Sequence, residues 1–270
     1  MTHPSIFRLS CLASALAALT LCTAAHAAPV QVTVTIKNLV PANGVSFAPL
    51  RLGFNNGSFD AFNLGQVATA PIVSVAEGGS GSDWFPAFAA ADPTATLGSI
   101  AMALTPGQTR SSSFTVDSAV NRYFTFASMV VPSNDLFIGN DDPMEYELFD
   151  TAGNLNITSI GVKAGEIWDA GSEAFDPLNA AFLPTGTNAL RTPQNSVVGF
   201  NFAELAAFNG LTTAAGYVVD SQLRANSDVY SISFSVAAVP EPDTYALMLG
   251  GLMTIGWVAR RRRVQRGVSI

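Results

Sequence analysis

Oxygen-bearing side chains gather in two short stretches of the sequence. The first stretch, 132–142, contains Asp135, and the second, 168–176, contains Asp169, Glu173 and Asp176. Calcium is held in proteins by six to eight oxygen atoms from carboxylates, carbonyls and water. Asp169 and Glu173 are separated by four positions in a glycine-containing stretch, a spacing that lets both face one ion. Because no cysteine or histidine lies near them, the pattern favours calcium over a transition metal.

The same residues also fit a simpler interpretation, in which they are solvated turn residues. Asp and Asn favour turns because their short side chains bond to the nearby backbone. The twelve-residue pattern of an EF-hand calcium loop is absent from both stretches. Spacing alone therefore leaves both interpretations open.

Histidine and cysteine are confined to the start of the chain. The two histidines are His3 and His26, and the two cysteines are Cys11 and Cys22. The remainder has no imidazole and no thiol, which excludes Ser–His–Asp and Cys–His catalysis, His/Cys zinc sites and disulfides there. Residues 28–239 carry 7 of the 13 basic residues and 18 of the 20 acidic residues. A segment this acidic repels phosphate backbones, so nucleic-acid binding is not expected.

The first 27 residues have the pattern of a secretory signal peptide. Arg8 precedes an apolar stretch at 9–21, and Ala25-His26-Ala27 places small residues at the two positions that signal peptidase reads. We therefore expect export, with cleavage between Ala27 and Ala28.

The last segment, 239–266, also has the pattern of a targeting signal. Its three parts are Pro240-Glu241-Pro242, an uncharged stretch of sixteen residues at 244–259, and Arg260, Arg261, Arg262 and Arg263. A helix of this length spans about 24 Å, which is marginal for a bilayer core of roughly 30 Å. The arginines are expected on the cytoplasmic side. A permanent single-span anchor is the simplest interpretation of such a tail.

The three-part tail resembles the PEP-CTERM sorting signal of Gram-negative bacteria. The resemblance implies that an exosortase cuts the chain near Pro240-Glu241-Pro242. The protein would then be held in the inner membrane only transiently. Its body would be released, or transferred to the cell surface, in species that make exopolysaccharide.

Residues 28–238 are expected to form one all-β domain. Apolar and polar residues alternate at 30–37 and 230–236, the period of a half-buried strand, and such first and last strands often lie side by side. Further elements are predicted as a central strand at 123–131, a hairpin around 150–154, a strand at 197–202, and short helices at 71–77 and 201–208. Many short strands separated by turns favour an antiparallel β-sandwich.

Two longer motifs resemble the spondin N-terminal domain. Residues 127–139, Ala-Ser-Met-Val-Val-Pro-Ser-Asn-Asp followed by Phe137 and Gly139, and residues 168–173, Trp-Asp-Ala-Gly-Ser-Glu, are similar to two of its motifs and lie in the same order. The resemblance implies a calcium-associated antiparallel β-sandwich. It also implies that the metal ligands are Asp135, Asp169 and Glu173.

The sequence departs from that pattern shortly after the second motif. Phe175 stands where bacterial members often have Asn, which leaves Asp176 an optional ligand. The cysteines of the animal members are also absent, so their disulfides are not implied.

Together these features predict an exported, non-enzymatic, calcium-binding protein of the cell surface or the exopolysaccharide matrix, with an adhesive or structural role. Its expected partners are signal peptidase and exosortase during export, and then the matrix. A carbohydrate-binding module is the alternative, and a hydrolase with paired carboxylates is a third candidate. Trp84-Phe85 is a candidate platform for a sugar ring, although aromatic pairs in β-rich chains more often lie in the core.

Overall fold

The computed structural model describes residues 29–239 and 249–256. The predicted signal cleavage between Ala27 and Ala28, the Pro240-Glu241-Pro242 motif and the arginines at 260–263 lie outside these residues. Residues 249–256 are helical. Within the described ranges, no helix has both the length and the apolar character needed to cross a membrane.

β-strands account for most of the regular secondary structure of the described residues. The strands are β1 (Val30–Asn38), β2 (Ser46–Phe47), β3 (Leu50–Asn55), β4 (Thr96–Ile100), β5 (Thr109–Val116), β6 (Tyr123–Val131), β7 (Leu136–Gly139), β8 (Ser159–Lys163), β9 (Trp168–Asp169), β10 (Gly199–Phe200) and β11 (Asp228–Ala238). The α-helices are α1 (Ala70–Gly78) and α2 (Trp84–Ala91), and short 3₁₀ helices span Ala164–Glu166, Asn188–Leu190 and Phe202–Phe208.

The strands form two antiparallel sheets. The smaller sheet has the order β5-β1-β11-β8, and the larger has the order β10-β9-β7-β6-β3-β4, with β2 paired to β6. β1 pairs with β11 from Val30 opposite Ala238 to Asn38 opposite Tyr230. The expected adjacency of the first and last strands is therefore confirmed, as is the antiparallel all-β architecture in its coarse form.

The main core lies between the two sheets. The alternation in β1 places Val32, Val34 and Ile36 in it, where they are shielded from solvent. Phe124 of the larger sheet meets Phe234 of the smaller one edge to face, with 4.9 Å between ring centroids. The period of two in the sequence thus gives one buried and one exposed face to the smaller sheet.

The central strands of the larger sheet, β3, β6 and β7, are buried on both faces, which explains the nearly continuous apolar run in β6. Phe124 and Phe126 point into the core between the sheets, whereas Ala127 belongs to a second core beneath α1 and α2. Trp84 is fully buried in this second core. The core interpretation of Trp84 is therefore correct.

Some predicted elements are shorter or less regular than expected. The segment at 146–157 is not a regular hairpin, because single bridges join Tyr123 to Glu147 and Phe149 to Leu155. Its turn is as predicted, with Asp150 Oδ1 accepting the backbone N–H of Asn154. The strand expected at 197–202 is reduced to β10, and the second predicted helix is a 3₁₀ helix. The helix predicted at 71–77 is α1.

Close packing between β3 and α2 generates a stability prediction. A Cβ added at Gly53 would lie 2.5 Å from the Phe88 ring, which is itself stacked on Phe59 at 4.0 Å. Gly53→Ala is therefore expected to destabilise the fold by about 1–3 kcal/mol, lowering the melting temperature by roughly 2–10 °C. Gly161→Ala in β8 is the control, because no atom lies within 4 Å of its added Cβ. Equal melting temperatures for the two variants in a calorimetric scan would contradict this packing.

Candidate metal centre

The two acidic stretches of the sequence meet at one end of the larger sheet. Asp135 lies in the turn between β6 and β7, and Asp169 ends β9. β7 pairs with β9, with Leu136 opposite Asp169. The backbone N–H of Ala170 donates to the carbonyl of Asp135 at 3.2 Å. The strand register therefore brings the two motifs side by side.

Asp135 is almost completely buried, with 2% of its surface exposed. Its Oδ2 accepts three hydrogen bonds, from the N–H of Ser172 at 2.7 Å, the N–H of Glu173 at 3.0 Å and the hydroxyl of Ser172 at 3.2 Å. In the described part of the chain, no group donates to its Oδ1. Burial raises the pKa of Asp135 to about 6, and the charge of Asp169 adds to the rise, against the lowering effect of the hydrogen bonds.

Asp169 lies beside this carboxylate and links it to a third segment. Its Oδ1 accepts the N–H of Gly171 at 2.7 Å, and its Oδ2 accepts the amide of Asn201 at 2.9 Å. Gly171 has a φ of +62°, and a Cβ there would lie 2.8 Å from the carbonyl oxygen of Val197. Only glycine therefore lets the loop after β9 approach the segment that leads to Asn201.

Glu204 lies close to Asp135 and Asp169, although nothing in the sequence around it predicted a role at this site. The amide of Asn201 that bonds Asp169 also donates to Glu204 Oε2 at 3.1 Å. The other oxygen, Oε1, is buried and has no hydrogen-bond partner among the described residues. Burial raises the pKa of Glu204 to about 7, with contributions from the charges of Asp169 and then Asp135. An acid in the first turn of a predicted helix is common, which is why Glu204 carried no signal.

Glu173 and Asp176 form a neighbouring group. Glu173 Oε1 accepts the amide of Asn134 at 3.0 Å, and the oxygen of that amide accepts the N–H of Asp176. Burial raises the pKa of Glu173, and the charge of Asp176 adds to the rise. The carboxylate of Asp176 is held by Asn179 at 2.7 Å. The structure thus brings Asp135 and Asp169 together, whereas the Glu173 carboxylate interacts with Asn134 and Asp176.

The remaining acids of the first stretch lie elsewhere. Asp141 and Asp142 act on the carboxyl of Glu145, whose pKa is raised chiefly by burial and then by these charges. Asp141 and Asp142 are close to Asp135 in the sequence, but they do not belong to the group of acids around Asp169.

The donor set of the carboxylate cluster, Asp135, Asp169 and Glu204, fits a hard cation. Within residues 29–239 and 249–256, no three His, Cys, Asp or Glu side chains are arranged to hold a metal ion as they stand. The salt bridges of the described chain, Arg122–Glu147, Lys163–Asp228 and Arg191–Glu77, involve none of the three carboxylates. Oxygens without hydrogen bonds remain at Asp135 and Glu204. Calcium also accepts carbonyl oxygens and water, so the chemistry of the cluster suits it.

Comparisons with known proteins give no family assignment. No protein-family model matches the chain, and no curated protein matches it. The similarity to spondin domains and to sorting tails thus rests on the motifs described above.

The raised pKa values predict a dependence of stability on pH. Carboxyls that titrate near 4 in the unfolded chain titrate at about 6 in Asp135 and about 7 in Glu204 when folded. The folded state therefore favours their protonated forms. Their contribution to stability is complete below about pH 4 and is lost as the pH rises toward 7. In chelator, Glu204→Gln is expected to flatten the fall in melting temperature over this range.

The control for this experiment is Asp60→Asn, a substitution of an exposed carboxylate outside the cluster. It should leave the wild-type pH profile in place. A Glu204→Gln profile parallel to that of the wild type would show that Glu204 does not titrate in this range.

Proposed function

We propose that this protein is an exported, non-enzymatic, calcium-binding component of the cell surface or the exopolysaccharide matrix, with an adhesive or structural role. The observation that carries the proposal is the carboxylate cluster. It combines three interacting acidic side chains with buried oxygens, and no described Lys or Arg forms a salt bridge with them. Ionised together, the three carboxylates repel one another.

Calcium, when bound, supplies two positive charges that offset this repulsion. The residues of the cluster come from three segments, namely the turn between β6 and β7, the end of β9, and the 3₁₀ helix Phe202–Phe208. Asp135 uses Oδ2 to hold the loop after β9, which leaves its Oδ1 for the ion. Asp169 and Glu204 share the amide of Asn201. An ion at this point would therefore join segments that are distant in sequence and stiffen one end of the domain.

The geometry gives less support to a hydrolase with paired carboxylates. A general acid must reach the atom that it protonates. Glu204, with its raised pKa, is the natural acid of this cluster, but its unbonded oxygen is buried. It does not line the cleft that opens beside Asp169. A structural role for the cluster is therefore the better-supported proposal.

The proposed location rests on the two ends of the sequence. The signal peptide supports export, and the Pro240-Glu241-Pro242 tail supports sorting by an exosortase of a Gram-negative bacterium. The similarity of the motifs at 127–139 and 168–173 to spondin domains supports a surface or matrix role. The acidic body makes nucleic acid an unfavourable partner.

Calcium is expected to raise the melting temperature of the full-length protein, purified in mild detergent. A ligand that binds only the folded state stabilises it by about 2.7 kcal/mol at a hundredfold excess over Kd. This corresponds to roughly 5–10 °C for a domain of this size. Sites in extracellular proteins bind calcium with Kd values of about 10⁻⁴–10⁻³ M, so about 10 mM calcium, a hundredfold excess at the tighter end of this range, is the appropriate probe. Asp169→Asn should remove the calcium-dependent shift and still give a folded protein in chelator, since it also relieves repulsion.

Two further variants identify the third carboxylate ligand. If the carboxylate cluster is the site, Glu204→Gln reduces the calcium shift and Glu173→Gln retains it. The opposite result would favour the ligand set implied by the spondin resemblance. Asp117→Asn is the control, because Asp117 lies outside both acidic stretches. It is in the turn after β5, where its side chain accepts the N–H of Ala119. Identical wild-type melting in calcium and in chelator would overturn the calcium proposal.

A further inference from the structure

Strand β5 is the longest edge strand of the two described sheets. It has eight residues, Thr109–Val116, and its one partner strand in the described chain is β1. The other edge strands are shorter, because β4 and β8 have five residues each and β10 has two. Proteins usually protect an edge strand with proline, lysine or a β-bulge. β5 has neither proline nor lysine, and its register with β1 is unbroken.

The backbone hydrogen bonds show which groups of β5 point away from β1. Asn38, at the end of β1, donates its N–H to the carbonyl of Gln108, the residue before β5. The direction of these groups alternates along a strand, so Arg110 and Ser112 also direct their backbone N–H and C=O groups toward β1. The residues between and after them direct theirs to the free edge, namely Thr109, Ser111 and Ser113.

These outward groups are available to another strand. Among the described residues, none bonds to the backbone N–H or C=O of Thr109, Ser111 or Ser113. Further along, the outward carbonyl of Thr115 accepts the hydroxyl of Thr96 in β4 at 3.4 Å. β4 therefore covers the last part of the edge, and residues 109–113 remain open. Such a row of unpaired N–H and C=O groups is a template for an added strand.

An open groove of about 460 Å³ lies beside this part of the edge. Its lining comes from residues 109–112 of the smaller sheet and from residues 99–101 at the end of β4 in the larger sheet. Successive side chains of a strand point to opposite faces. An added strand would therefore place every second side chain in the groove and the others on the outer face of the smaller sheet.

Arg110 gives this groove a positive charge. It stands opposite Ile36, which lies in the core between the sheets, so the Arg110 side chain is on the inner face of the smaller sheet, where the groove opens. One of its nitrogens, Nη2, donates to Oε1 of Gln108 at 3.2 Å. No Asp or Glu lines the groove, and the salt bridges of the described chain do not include Arg110.

An inward-pointing charge on an edge strand discourages pairing with unsuitable strands. Arg110 therefore selects for a partner that brings an opposite charge, and a carboxylate is the group that a guanidinium binds most strongly. A second copy that paired through its own β5 is disfavoured, because β5 contains no carboxylate.

The outer face of the edge suits hydroxyl-bearing residues. The hydroxyl of Ser113 pairs with that of Thr33, and the hydroxyl of Ser111 pairs with that of Thr35, each at 2.8 Å. Cross-strand pairs of this kind stabilise a sheet. Threonine residues on an added strand would extend the same rows.

We infer that residues 109–113 bind an extended segment of a partner protein as an added strand, with one carboxylate side chain of that segment on Arg110. The rest of the segment is uncharged, because the body of this protein is acidic and repels a strongly acidic peptide. The site fits an adhesive role, but it is independent of the carboxylate cluster, which belongs to the larger sheet.

The probe is the peptide Thr-Val-Thr-Glu-Thr-Val-Thr, blocked at both ends and labelled with a fluorophore. Its Glu and Val side chains share one face whichever way the strand runs. Titration of the full-length protein in mild detergent, followed by fluorescence anisotropy, should show saturable binding. The same peptide with Gln in place of Glu should bind on the order of tenfold more weakly. Hydrogen exchange, measured by mass spectrometry, should slow in residues 109–113 when the Glu peptide is bound.

Two variants test the two parts of the site. Ser111→Pro removes one outward N–H and keeps the ladder to β1, a position at which an edge strand tolerates proline, and it should abolish binding. Arg110→Gln should bind the Glu and Gln peptides equally well. The control is Arg224→Gln, which removes an exposed arginine in the turn before β11 and should keep the wild-type preference for Glu. Melting temperatures show whether each variant is folded.

The inference is overturned if the Glu peptide does not bind, if the wild type binds both peptides equally, or if exchange slows in another segment instead. Wild-type binding by a folded Ser111→Pro would also overturn it. A dimer in sedimentation that Ser111→Pro dissociates, without peptide binding, would assign the edge to a second copy and overturn the inference as well. None of these measurements depends on the calcium shift, so the calcium proposal is tested separately.

Discussion

The structure of this end of the domain depends on one buried carboxylate. Asp135 fixes the loop after β9 by accepting two backbone N–H groups and one hydroxyl on a single oxygen. Hydrogen bonds to an ionised acceptor are about twice as strong as neutral ones. The pairing of β7 with β9 places Asp169 next to Asp135, and Asp169 in turn accepts the amide of Asn201, which also donates to Glu204. Strand pairing and the shared amide of Asn201 thus connect the three acids.

The cost of this arrangement is electrostatic, and there are two chemical ways to reduce it. Protonation is one, and the pKa values of about 6 for Asp135 and about 7 for Glu204 show that burial and mutual repulsion favour it. A bound cation is the other, and it competes with the protons. In the proposed function, calcium outside the cell takes this second role at neutral pH. Because protons and calcium would compete, the stiffness of the site would depend on both.

The sequence predicted the architecture where a single period dominated. Alternation in β1 and β11, and the apolar run of β6, were sufficient because each pattern matches the number of buried faces. The meeting of the two acidic motifs was also predictable. The role of Glu204 was not predictable, because Glu204 lies in a 3₁₀ helix whose position at the site depends on the close approach at Gly171 and on the hydrogen bonds of Asn201. The irregular segment at 146–157 was missed because a turn pattern does not specify how its flanks pair.

A crystal structure of the protein grown with calcium, with anomalous scattering used to locate the ion, tests the central claim most directly. The account predicts one calcium ion in contact with Asp135, Asp169 and Glu204, at oxygen distances of about 2.3–2.6 Å. The remaining positions would be filled by carbonyl or amide oxygens and water. An ion bound at another place, or a cluster that stays free of calcium at millimolar concentrations while Glu204 remains protonated, would contradict it.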